Sequence, residues 1–269
     1  MFSSSLTDFM GKTTEIELRY YFCTGCELIY QSPLPDTLEI DTDINSGSYE
    51  DLVKKEAGFL KKRHHNRKLY YDAIRHAVSV EGKKVLEVGC GPGHHLAMIR
   101  DNGARSVFGV DFDKTAAKYA QEKYNLHVAK TPLEVLPDQE YEIIFLHQVV
   151  EHVTDPYFFC RQLNRLLSPG GKIVISTPNC MSFGRLLFKG NWSLLTFNQH
   201  LHLFSPKSIS RLLTECGFEI TYIKDRVFYD RSLLLAGAKY IAKICLGRPK
   251  RDTTMLGTDA FILVATKPG

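Results

Sequence analysis

The sequence predicts an α/β fold: a seven-stranded, mostly parallel sheet with helices on both faces. Three observations carry that prediction. Apolar runs and helix-patterned segments alternate from residue 84 onward, and such alternation gives parallel strands joined by crossover helices. The runs Ile143-Ile144-Phe145-Leu146 and Ile173-Val174-Ile175 are continuously apolar, as strands buried on both faces are. Finally, Val85-Leu86-Glu87-Val88 runs straight into Gly89-Cys90-Gly91-Pro92-Gly93, a strand closing on a tight turn that opens a helix.

The chain of 269 residues is long enough for one large domain with small additions. It divides into residues 1–35, a hairpin; 36–80, a helical lid or linker; and 81–269, the sheet domain. In the hairpin, Tyr20 to Tyr30 reads as a strand, a Cys23-Thr24-Gly25-Cys26 knuckle and a returning strand, ended by Pro33 and Pro35. Structural zinc takes four ligands, and one knuckle supplies two. Two free thiols and no metal are therefore expected, and half of a zinc ribbon completed by another chain or by a histidine is the other reading. In the lid, Ser48 is placed to cap a helix from Tyr49, and Leu69, Tyr70, Ala73, Ile74, Ala77 and Val78 share helical spacing. Tyr49 and Arg63 are candidates to cover a crevice.

The sheet domain follows in order. Strand 84–88 leads to helix 96–102, strand 106–110 to helix 114–124, and a short strand spans 126–129. Strand 143–146 leads to helix 157–167. The turn Ser168-Pro169-Gly170-Gly171 precedes strand 172–176. An irregular stretch then runs to about Phe204, followed by helix 206–216, strand 219–223, an apolar helix 233–246 and strand 261–265.

Composition narrows the function. A net charge of +4, from 34 basic and 30 acidic residues, is too even to argue for nucleic acid. Seven scattered cysteines in a chain of this size read as reduced thiols and a cytoplasmic setting. Met1-Phe2-Ser3-Ser4-Ser5 lacks the pattern of a signal peptide, and no apolar run is long enough to span a membrane. Helix 233–246, with Lys239, Lys243, Arg248, Lys250 and Arg251 in or near it, suits packing on the sheet or a dimer contact, with peripheral membrane contact the other reading. The oligomeric state is left open.

The glycine turn carries the chemistry. A second apolar run, Ser106 to Val110, ends in Asp111, and an acid at that strand tip is placed to accept hydrogen bonds from two ribose hydroxyls. A dinucleotide fingerprint is G-x-G-x-x-G. Here the pattern is Gly89-x-Gly91-x-Gly93, and His94 takes the third glycine's place. Glu87, two residues before the turn, repels a pyrophosphate and suits a cationic amino group.

Glu87-x-Gly89-x-Gly91-x-Gly93 followed by Asp111 resembles the class I S-adenosylmethionine (SAM) methyltransferases of small-molecule type, which include sugar and quinone-biosynthesis methyltransferases. Tyr141 to Ile144 through Val149 to Pro156 resembles that family's fourth strand and its "LEH…DP" segment, Leu167 to Gly171 its "LKPGG" turn, and Gln199 to Ser205 with Cys216-Gly217-Phe218 its "H-x-x-x-F-S" and "GF" marks. Residues 80–225 carry the likeness; residues 1–35 resemble a zinc-ribbon remnant. The resemblance implies a Rossmann-like fold and SAM as cofactor, held by Glu87, Gly89, Cys90, Gly91, Gly93, Asp111, Phe112, Thr131 and His147. Lys130-Thr131 stands where a glycine-acid pair often meets adenine, which leaves Thr131, backbone groups and the Phe112 ring to that base.

Transfer to a hydroxyl needs a base, and imidazole titrates near neutrality. His200, at the family's histidine position, is the first choice and His202 the second; in an extended segment both face one way. Glu151 and His152 read as bracing the next helix. The expected function is SAM-dependent methylation of a small-molecule acceptor: a sugar, saccharide or phenol-like compound, at oxygen, nitrogen or carbon. Two other readings stay open: a non-catalytic protein that binds SAM or a partner, and an NAD-dependent oxidoreductase.

Overall fold

The structure, a computed structural model, describes residues 2–7, 13–35, 75, 77–192, 194–225 and 260–269. Most of the lid at 36–80, with Tyr49 and Arg63, and the apolar helix expected over 233–246 lie outside the described residues.

Seven strands form one sheet: β4 (Lys84–Val88), β5 (Ser106–Val110), β6 (Val128–Ala129), β7 (Tyr141–His147), β8 (Leu167–Pro178), β10 (Glu219–Asp225) and β11 (Ala260–Thr266). Their order is β10-β11-β8-β7-β4-β5-β6. The pairs among β6, β5, β4, β7 and β8 are parallel, and β11 runs antiparallel to both its neighbours. The chain moves outward one way through β5 and β6 and the other way through β7 and β8. The switch point therefore lies at the carboxyl end of β4, where open α/β sheets bind ligands.

Alternation along the strands explains the unbroken apolar runs. Val85, Ile143, Phe145, Val174, Ile262 and Val264 pack in one core. Leu86, Val88, Ile144, Leu146, Ile173, Ile175 and Leu263 pack in the other, on the opposite face. Helices α1 (His94–Asp101), α2 (Lys114–Tyr124), α3 (Pro156–Leu166), α4 (Phe183–Phe188) and α5 (Pro206–Glu215) are the described helices. Asp113 caps α2, Asp155 caps α3, and Ser205 with Ser208 forms a capping box on α5.

Three expectations change. The Ser168–Gly171 turn lies inside β8: Tyr141 pairs with Leu167 and Ile143 with Lys172, so the four residues Ser168–Gly171 bulge opposite the single residue Glu142. The stretch expected to be irregular holds α4, a 3-10 turn at Lys189–Asn191 and strand β9 (His202–Leu203). Its hydrophobics have a core of their own, with Trp192, Leu194, Leu195 and Leu203 around Tyr20, Ile29 and Cys180.

The third change concerns the amino-terminal unit. Strands β1 (Phe2–Thr7), β2 (Thr13–Phe22) and β3 (Ile29–Ser32) form an antiparallel sheet whose fourth strand is β9. Ile29 pairs with Leu203 and Tyr30 with His202. Strands β1–β3 are thereby stitched to the stretch that carries His200 and His202.

Gly109 shows how tightly β5 seats against the turn. A Cβ there would meet Cys90 Sγ at 2.7 Å, Leu96 Cδ2 at 2.9 Å and Val128 Cγ2 at 3.0 Å. Gly109→Ala should lower stability by about 1–3 kcal/mol through overpacking, read as a lower urea midpoint at unchanged slope. An unchanged midpoint would contradict this packing.

Candidate active site

The glycine turn is held from β5. Gly89 N donates to Val110 O at 2.8 Å, Cys90 N to the same oxygen at 3.3 Å and Gly93 N to Cys90 O at 3.1 Å. Gly91 N donates to Asp111 Oδ2 at 2.6 Å. These four amides are thus used within the turn and its neighbour strand. That differs from a phosphate cradle, which turns such amides toward the anion.

The three turn glycines differ in purpose, although φ is positive at each. A Cβ on Gly89 would strike Val149 Cγ2 at 2.5 Å, and one on Gly93 would strike Leu126 and Ala120 at 2.7 and 2.8 Å. Those two are needed for packing. Gly91 has φ +53° and no atom within 4 Å of where a Cβ would stand, so bare main chain faces open space there. Cys90 is buried with its thiol against Gly109; only its backbone is left for a ligand.

Two carboxylates flank the turn. Asp111 Oδ1 accepts from Asp113 N at 2.9 Å, complementing the Gly91 bond to Oδ2. Burial pushes the Asp111 carboxyl above its ordinary range, and the two backbone bonds pull it back. Glu87 is fully buried, with Oε1 2.8 Å from Nδ1 of the equally buried His95. His95 was not anticipated: only the fold brings a helix residue eight positions on beneath the strand. His94 opens α1 and meets the Tyr124 hydroxyl at 2.7 Å. Phe112, next to Asp111, is 56% exposed, an aromatic face held outside the core. Thr131 is half-buried beyond β6.

On the other side of β4, His147 ends β7 and lies 3.2 Å from Ser176 Oγ. Gln148 follows with φ +58°, which turns the chain back toward Gly89. A 3-10 turn then spans Val150–His152. Glu151 and His152 do not cap α3, since Asp155 does. Glu151 is fully buried and accepts from the Thr177 hydroxyl at 2.9 Å. Burial pushes its carboxyl up to about 8.

The histidines of the loop after β8 come to this same turn. His200 and His152 rings are 4.9 Å apart. His152 Nδ1 donates to Gln199 O at 2.7 Å, His200 Nδ1 to Leu194 O at 2.6 Å and His202 Nδ1 to Val153 O at 3.1 Å. A carbonyl oxygen only accepts, so Nδ1 carries the hydrogen in all three, and in the neutral ring Nε2 carries the lone pair. Burial lowers His152 and His202 from the usual histidine range, which favours those neutral rings. The amino-terminal sheet fixes the loop. The Tyr20 hydroxyl donates to His200 O at 2.8 Å, and Tyr20 stacks on Phe197. Gln31 N donates to Leu201 O at 2.8 Å, and its side chain exchanges bonds with Asn198. Periodicity within the chain offers no signal for such contacts between residues over 160 positions apart.

The residues around the turn fit SAM. Gly91 leaves a gap a side chain would fill, Asp111 is oriented at the β5 tip, and Glu87 puts a carboxylate beneath the turn. Asp111→Ala should weaken SAM binding by about 10- to 100-fold, the worth of one charge-assisted hydrogen bond, read by titration calorimetry. Asp111→Asn should lose less, because it keeps one acceptor oxygen. Unchanged affinity in Asp111→Ala would remove Asp111 from the site.

Known proteins share this domain and fold. A family model described as a methyltransferase domain matches residues 63–223. A probable S-adenosylmethionine-dependent methyltransferase of Mycolicibacterium smegmatis is 31% identical over 173 residues, covering 61% of each chain. A tRNA U34 carboxymethyltransferase of Pseudoalteromonas translucida is 33% identical over 111 residues, 39% of this chain and 34% of that protein. A ubiquinone biosynthesis O-methyltransferase of Coxiella burnetii is 32% identical over 155 residues, 54% of this chain and 65% of that protein. The chain thus spans less than two thirds of the length of these relatives. Among solved structures, a SAM-dependent methyltransferase from Mesorhizobium loti superposes with a TM-score of 0.54 at 19% identity, covering 74% of this chain and 98% of that one. The fold is the Rossmann-like fold of class I methyltransferases, and the chain belongs to the SAM-dependent methyltransferase family.

Proposed function

We propose that the protein transfers a methyl group from SAM to a hydroxyl of a small-molecule acceptor, a sugar or a phenol-like compound, in the cytoplasm. The observation that carries this reading is the cluster of His152, His200 and His202. All three rings hold Nδ1–H on a backbone carbonyl, and all three stand beyond the carboxyl ends of β7 and β8. The relative named for ubiquinone biosynthesis supports a phenolic hydroxyl. The even charge balance supports a small acceptor over the tRNA of other relatives. No disulfide joins the six described cysteines, which supports the cytoplasmic setting. Among the described residues no helix is long and apolar enough to cross a membrane.

When bound, SAM supplies an electrophilic methyl group. The chain's own residues divide the remaining work. Asp111 serves the ribose, Phe112 and Thr131 the adenine, Gly91 gives close approach, and Glu87 supplies negative charge beneath the turn toward the cationic amino end. His147 and Gln148 border the cofactor's methionine end. His200 or His202 takes the acceptor's proton at Nε2. Fixing two reactants together is worth roughly 7–11 kcal/mol, so the clamps on the loop matter as much as the base.

The test uses labelled SAM with a panel of catechols, phenols and glycosides, and tRNA alongside. His200→Ala and His202→Ala should each bind SAM as the wild type does. The one that removes the base should lose about 10²–10⁴-fold in turnover. Full turnover in both variants would remove the base from this cluster, and transfer only to tRNA would replace the acceptor class. SAM binding without transfer to any acceptor would favour the non-catalytic reading.

A further inference from the structure

We infer that Glu151, His152 and His200 form a binding site for one divalent transition-metal ion. Among the described residues they are the one trio of His, Cys, Asp or Glu side chains gathered closely enough, with a ligand atom from each within 4.8 Å of the others. Metal–nitrogen and metal–oxygen bonds of roughly 2.0–2.2 Å place donor atoms about 3–4 Å apart, so the trio need only draw in slightly.

Each candidate ligand is already oriented from behind. Thr177 Oγ1 donates to Glu151 Oε2 at 2.9 Å. The other oxygen, Oε1, is buried and has no hydrogen-bond partner among the described residues. A buried carboxylate oxygen without a donor is costly, and a cation would satisfy it. His152 and His200 are held at Nδ1 by Gln199 O and Leu194 O, which points the lone pair to Nε2. Metal-binding histidines are held in this way, through the second nitrogen on a carbonyl or carboxylate.

Two imidazoles and one carboxylate suit zinc, manganese, iron or cobalt better than the hard, oxygen-seeking ions. Three protein ligands leave coordination positions open. Those positions would receive an oxygen of the acceptor, with His200 a ligand and His202 left to take the proton. That last assignment rests on the function proposed above; the binding of the ion does not. Cys23 and Cys26 have no third ligating side chain drawn up to them among the described residues.

The test reads metal alone. The full-length protein is stripped with a chelator and titrated with Co²⁺, followed by visible absorption and calorimetry. The wild type should take up one equivalent and develop d–d bands, without the near-ultraviolet band of thiolate ligation. Glu151→Gln and His200→Ala should each weaken binding at least 100-fold. Thr177→Val, which removes only the support behind Glu151, should weaken it about 10- to 100-fold. His202→Ala and the Cys23→Ser/Cys26→Ser double variant should bind like the wild type. No uptake of Co²⁺ or Zn²⁺ by the wild type, a thiolate band, or undiminished binding in both Glu151→Gln and His200→Ala would overturn the inference.

Discussion

The site depends on one hydrogen bond, from Gly91 N to Asp111 Oδ2 at 2.6 Å. It ties the carboxyl end of β4 to the tip of β5, across the point where the strand order reverses. Through it the turn keeps its positive-φ glycines in place, and Asp111 is aimed before any ligand arrives. The neighbouring amides close on Val110 and Cys90, so the turn presents bare backbone rather than a set of donors. A pyrophosphate needs donors there; a cofactor with a ribose and a cationic amino acid end does not.

The other half of the crevice is built by a different device. The loop after β8 would be an unsupported insertion if β9 did not complete the amino-terminal sheet. Tyr20, Gln31 and Asn198 hold it by backbone and amide bonds, and Trp192 is buried beneath it. Three imidazoles are thereby set with the same nitrogen on a carbonyl. Positioning of this sort costs the fold little, because each carbonyl needed a donor in any case. Strands β1–β3 are thus structurally part of the unit that carries these imidazoles.

The sheet was legible because its information is local. Strand 106–110 and helix 114–124 agree with β5 and α2 end to end, since an apolar run closed by an acid and a helix capped by Asp113 are both written in adjacent residues. The nearness of Glu87, the three glycines and Asp111 was legible for the same reason: they lie in or just beyond the ends of two paired strands. What stayed hidden was carried by contacts across the chain. The Glu87–His95 pair, the Glu151–Thr177 bond and the β3–β9 pairing join residues whose spacing has no meaning until the strands are ordered. Glu151 and His152 followed a strand and preceded a helix, so bracing that helix was the local reading; Asp155 caps the helix, and Glu151 is bonded to Thr177. The Ser168–Gly171 turn became a bulge because Leu167 and Lys172 pair with the same strand on either side of it.

The central claim is that this turn selects SAM over a pyrophosphate-containing cofactor. Calorimetric titration of the full-length protein with SAM and with NAD, under the same buffer and salt, tests it most directly. Saturating, one-to-one binding of SAM with no measurable heat from NAD is the expected result. NAD binding in the absence of SAM binding would contradict the account.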